Sequence, residues 1–116
     1  MKSLPAKILG FEASGKVSAR DYEKVIFPAL EKTVEEGNEI RFLFHLGKAF
    51  KKFDIGAIID DALVTIKYFF HWEKVAVVTD KKWIRGTAKT MGFFMPGHVR
   101  TYQDKEYKSA LSWLKK

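Results

Sequence analysis

Apolar and polar positions change period several times along the chain, and each change marks an element. Lys7-Ile8-Leu9-Gly10-Phe11-Glu12-Ala13-Ser14 reads as extended, with Gly15 punctuating its end. Ser18, followed three residues later by Asp21, makes a capping box that opens a helix. Its apolar positions Tyr22, Val25, Ile26, Ala29 and Leu30 recur at helical spacing, and Pro28 should kink it before Glu35-Glu36-Gly37-Asn38 ends it. Ile40 to Leu46 is a strand too apolar on both faces for a sheet edge. Asp54 can cap a long second helix running to about Phe70. Lys74 to Asp80 is the next interior strand, Trp83 to about Met91 a third helix, and His98 to Tyr102 a last strand. From Asp104 a fourth helix places Tyr107, Ala110, Leu111 and Leu114 on one stripe. Strands alternating with helices imply right-handed crossovers onto a mainly parallel sheet, an α/β fold. With 116 residues and no repeat, linker or low-complexity tract, one domain over 1–116 is expected.

The second helix carries more apolar residues than one sheet-facing stripe can hold, from Ile58 and Ile59 through Leu63 to Phe69 and Phe70. Something besides the sheet must cover the excess: a neighbouring helix, a dimer partner, an apolar ligand or a membrane. Ala57, Val64 and Tyr68 trace that second face and mark it as a candidate interaction helix. Asp60 and Asp61 are neighbours whose side chains diverge by about 100°, so they cannot act as a carboxylate pair and are expected on the solvated face.

Charge changes the picture further. Residues 1–80 hold 12 Lys and Arg against 12 Asp and Glu, whereas residues 81–116 hold 9 against 2, so the whole formal charge of +7 sits in the last third. Such a polarised field draws anionic partners.

Candidate chemistry is sparse. Gly10 to Lys16 matches the spacing of a phosphate-binding loop, but Val17 stands where the Mg²⁺-ligating hydroxyl is needed and the segment reads as strand rather than loop. His45, His71 and His98 show no metal-ligand spacing, the serines sit in no nucleophile elbow, and cysteine is absent. No catalytic residue, metal or cofactor is therefore expected, and the chain reads as a non-enzymatic one. The opening Met1 to Lys7 has no apolar targeting core and no stretch is long enough to span a bilayer, so a cytoplasmic location is expected, extending to the inner membrane face.

The most informative stretch is 81–97. Lys81, Lys82, Trp83, Arg85 and Lys89 make a basic amphipathic helix that runs into a loop bearing Phe93, Phe94 and Met95 between Gly92 and Pro96. Basic residues beside an interfacial Trp and an apolar tip are what shallow membrane binding requires.

At these residues the chain resembles the SpoIIAA-like family of small bacterial proteins, within the wider STAS group and reminiscent of the CRAL-TRIO lipid-binding fold. The likeness rests on Gly10-Phe11 with Ser14 to Val17, Asp21 to Val25 with Pro28 to Glu31, Ile40 to Leu46, and Phe53 to Ala57. It continues through Lys74 to Val78, Lys82 to Arg85, Phe94 to Gly97, Val99 to Thr101 and Ala110 to Leu114. The resemblance implies a four- or five-stranded, mainly parallel sheet with about four helices, no established enzymatic activity, and a membrane or lipid connection. A first edge strand of the family would be missing or reduced to Ser3 to Ala6. STAS proteins that antagonise anti-sigma factors carry a phosphorylatable serine in the region that here reads Gly47 to Asp54, which has no Ser or Thr, so that switch is not carried over. The expected function is a binding module that contacts an anionic membrane surface or a lipid-like ligand through Lys81, Lys82, Trp83, Arg85, Lys89, Phe93, Phe94 and Met95. The alternative is a regulatory protein-interaction module or homodimer using the second helix; nucleic acid is not an expected partner.

Overall fold

The computed structural model describes residues 8–13, 15–48, 50–95 and 97–116, without the side chains of residues 55, 64–66 and 69. The strand expected at Ser3 to Ala6 lies outside the described residues. Four strands, β1 (Leu9–Glu12), β3 (Ile40–Leu46), β5 (Trp72–Thr79) and β6 (His98–Tyr102), form one sheet in the order β1-β3-β5-β6 with every pair parallel. Two short strands, β2 (Gly15–Val17) and β4 (Phe50–Phe53), pair in parallel as a separate ribbon that the alternation of the sequence did not reveal. The interior places go to the strands that are apolar on both faces, β3 and β5, as the pattern required.

The helical segments divide unequally over the two faces. Helix α1 (Ala19–Asp21) runs through a π-helical stretch, Tyr22–Ile26, into α2 (Phe27–Glu35). With α3 (Ile55–Lys67) and α4 (Lys82–Phe93) these pack on the face that carries Phe42, Phe44, Val75 and Val77. Among the described residues, α5 (Tyr107–Lys115) is the helix that covers the other face, where Ala110, Trp113 and Leu114 meet Leu43, Ala76 and Val78. The split of Val75 and Val77 from Ala76 and Val78 is the two-residue period of a strand.

Local chemistry explains the helix ends. The Ser18 hydroxyl accepts from the Asp21 amide, and the Asp21 carboxylate accepts the Ser18 amide at 2.8 Å, closing the capping box. Asp54 caps α3 by accepting the Ala57 amide at 2.8 Å. In place of the kink expected near Pro28, the helix runs through the π stretch, with Ile26 and Phe27 in ordinary right-handed helical geometry. Pro28 has no amide hydrogen to continue the ladder, and the Phe27 amide instead reaches five residues back to the Tyr22 carbonyl. That wider turn rotates Val25 outward while Tyr22, Ile26 and Leu30 stay buried. Helix α4 extends two residues beyond Met91, so Phe93 ends a helix rather than sitting in a loop. Gly92 permits that close seat on β6: a Cβ there would lie 2.6 Å from Val99 Cβ.

Candidate functional site

Between the sheet and helices α3 and α4 lies an apolar cavity of about 560 Å³. Its floor is Phe42 and Phe44 of β3 with Val75 and Val77 of β5, one face of alternating strands. Ile84, Ala88 and Met91 wall it from α4, at the three- and four-residue spacing that puts them on one helical face. Ile58 of α3 and Trp83 of α4 line it and are also 58% and 62% exposed, so the cavity opens to solvent between these two helices. The exposed Lys52 of β4 stands at the rim.

One polar pair interrupts the apolar wall. The Tyr22 hydroxyl donates to the Asp61 carboxylate at 2.9 Å, and both residues line the cavity. Burial pushes the Asp61 carboxyl above the usual carboxylate range, partly opposed by the Tyr22 hydrogen bond. Burial, reinforced by the negative charge of Asp61, holds the Tyr22 hydroxyl far above the ordinary phenol range. The expectation that Asp60 and Asp61 mark a solvated face is thus corrected. Asp61 turns inward, and Asp60 is only partly exposed. The signal was in the sequence: Ala57, Asp61, Val64 and Tyr68 are spaced 4, 3 and 4 apart, so Asp61 shares the stripe on which the apolar residues were identified.

The same phase changes the reading of the interaction helix. Ala57 and Tyr68 are buried within the chain, while the Val64 side chain lies outside the described residues. The outward apolar face of α3 is made instead by Ile58, Ile59 and Leu63. The inner side of α3 is covered by α1 and the π stretch, where Gly56 allows contact with Ala19.

The residues singled out on α4 sit on two sides of it. Lys81, Lys82, Trp83 and Lys89 are exposed. Phe93 and Phe94 are 85% and 72% exposed, stacked edge to face at 5.5 Å. Met95 turns back against the core and lines the cavity. Arg85 is half-buried and donates to the Thr79 carbonyl at 2.8 Å, which fixes the start of α4 to the end of β5.

Two other places that the sequence raised are structural. Lys16 of the phosphate-loop look-alike lies on the strand β2. His45 bridges Glu12 at 2.9 Å and Asp104 at 2.6 Å, tying β3 to β1 and to the turn before α5. Among the described residues no cluster of three or more ligating side chains could hold a metal ion, and no helix is long and apolar enough to cross a membrane.

A crystal structure of an uncharacterized protein of the DUF3478 family with a SpoIIAA-like fold, from Shewanella loihica PV-4, superposes with a TM-score of 0.74 at 23% identity. The match covers 90% of this chain and 82% of the other, and it establishes the fold. No curated protein shows a significant match to the sequence. Within the region Gly47 to Asp54, which has no Ser or Thr, Phe50–Phe53 forms the strand β4. The SpoIIAA-like family model matches residues 8–115, and the chain belongs to the SpoIIAA-like family.

Proposed function

We propose that the protein is a non-enzymatic module that takes an apolar, lipid-like molecule into the cavity between α3 and α4 while its basic, apolar-tipped face rests on an anionic membrane. The observation that carries this reading is the cavity itself. Protein interiors are close-packed, and a hollow of about 560 Å³ falls within the range of small-molecule sites. Its lining is apolar, its mouth lies between helices, and the exposed Trp83 belongs both to that mouth and to the basic helix. Lys81, Lys82 and Lys89 would meet lipid phosphates, each contributing about 1 kcal/mol near an anionic surface. Phe93 and Phe94 would insert, with Met95 behind them against the core.

Binding of dodecanol, followed by the fluorescence of Trp72 and Trp83, tests the cavity. Saturable binding that Ala88→Leu abolishes is the expected result, since the added methylenes occupy the wall facing Phe42 and Phe44. Absence of binding by the parent protein would overturn the reading.

A further inference from the structure

We propose that the cavity selects its amphiphile by the head group, taking a chain that ends in an ammonium and rejecting one that ends in a carboxylate. This rests on the reading of the cavity as a lipid-like site, and it concerns what the polar end of that molecule must be. The carboxylate of Asp61, held at 2.9 Å by the Tyr22 hydroxyl, is the acidic group of the lining. Asp60, whose side chain diverges from that of Asp61, is not part of the lining, so the single carboxylate of Asp61 carries the selection. Apart from Thr87 and the rim Lys52, the rest of the lining is aromatic or apolar, with Phe42, Phe44, Phe53, Trp72 and Trp83 contributing rings. A carboxylate among aromatic rings attracts a cation twice, by charge and by the ring quadrupoles. The chain would then lie along Ile84, Ala88 and Met91.

The opposing term is Lys52 and the positive charge of the last third of the chain. Lys52 is at the rim and exposed, where water and salt screen a flexible ammonium over a Debye length of about 8 Å. Asp61 acts from the cavity wall, where it is half-buried and less screened than the exposed rim, so its charge interactions are stronger for the same separation. The inner charge therefore sets the preference, and the outer ones act on the surface to which the protein is drawn.

Three probes of one chain length separate the possibilities: dodecylammonium, dodecanol and dodecanoate, titrated below their micelle-forming concentrations at about pH 8, well above the usual carboxylate range because burial raises the Asp61 carboxyl. Dodecylammonium should bind at least roughly tenfold tighter than dodecanoate, the difference a charge-assisted hydrogen bond makes. The preference should survive added salt. Asp61→Asn should weaken dodecylammonium about tenfold and leave dodecanol within a factor of about three, because the amide still accepts from Tyr22. Tyr22→Phe, which keeps the carboxylate, should retain the ammonium preference. Dodecanol binding accompanied by equal or tighter dodecanoate binding would overturn the head-group selection alone. Binding of none of the three would overturn both this inference and the reading on which it rests.

Discussion

The two faces of the sheet are closed in opposite ways. On one, a nine-residue helix suffices: α5 seals Leu43, Ala76 and Val78 with Ala110, Trp113 and Leu114. Its last carbonyls are met by cations, Arg41 donating to Leu114 at 2.7 Å and Lys74 to Trp113 at 3.1 Å. Those charges complement the negative end of the helix dipole, and Lys74 and Arg100 also stack on the Trp113 ring. On the other face, α1, the π stretch, α2, α3 and α4 supply far more chain and still leave a hollow. Lack of material is not the cause. Along that hollow α3 turns a carboxylate inward, keeps Ile58 at the mouth, and leaves Ile59 and Leu63 facing outward, the reverse of what core formation alone would select. Such departures from local rules are where functional sites are expected, and this one motivates the proposed site.

The largest expected effect breaks the comparison directly. Leu114→Ala removes a fully buried side chain from the sealed face and should cost about 3 kcal/mol in chemical denaturation. Met91→Ala removes a similar volume from a wall that already borders empty space, and it should cost about 1 kcal/mol or less. Equal costs would mean that the two faces are packed alike in solution.

Next comes a sign rather than a size. The Asp61 carboxyl titrates above the usual range because it is buried, so between its unfolded and folded values the folded state holds a proton that the unfolded chain has released. Stability from this group therefore falls as pH rises through that window. Glu73 behaves oppositely: the hydrogen bond from Arg41, 2.6 Å long, lowers its carboxyl, so its contribution is present above the ordinary carboxylate range and is lost as pH falls through the lowered value. Asp61→Asn should stabilise the protein by on the order of 1 kcal/mol at neutral pH, with an advantage that grows with pH. Urea midpoints from pH 4 to 8 read this, and a gain that shrinks with rising pH would refute it.

These contrasts show what the sequence made legible. The strands β1, β3, β5 and β6, their parallel direction and the helices between them follow from periods of two and about four in residues such as Ile40 to Leu46 and Tyr107 to Leu114, whereas their order in the sheet does not. The ribbon of β2 and β4 escaped because Gly15–Val17 is too short to show a period, and Lys51-Lys52 between Phe50 and Phe53 reads as polar loop. Asp61 escaped for a different reason: two adjacent acids were weighed as a pair rather than by helical phase. The cavity could not be read at all, since a hollow depends on how far apart α3 and α4 stand, which no local pattern records.

The smallest expected change in stability carries the sharpest functional contrast. Phe93 and Phe94 are so exposed that replacing both by Ser should alter stability by less than about 0.5 kcal/mol, as surface substitutions do. The same holds for Lys81→Glu with Lys82→Glu, both exposed at the start of α4. Their effects on vesicle binding should nevertheless differ in kind. The charge reversal removes an attraction that fades as salt shortens the Debye length, so the dependence on anionic lipid content should vanish. The double Ser variant removes buried apolar area at about 25 cal/mol per Å², a contribution that salt barely weakens. The parent should therefore cosediment with vesicles in proportion to their anionic content and retain part of its binding in high salt, while the Ser variant should retain none of that remainder. Neither variant should change dodecanol binding in the cavity, because the lysines and the two phenylalanines do not line it. Loss of dodecanol binding in the Ser variant would join the tip to the cavity and erase the distinction between surface and site.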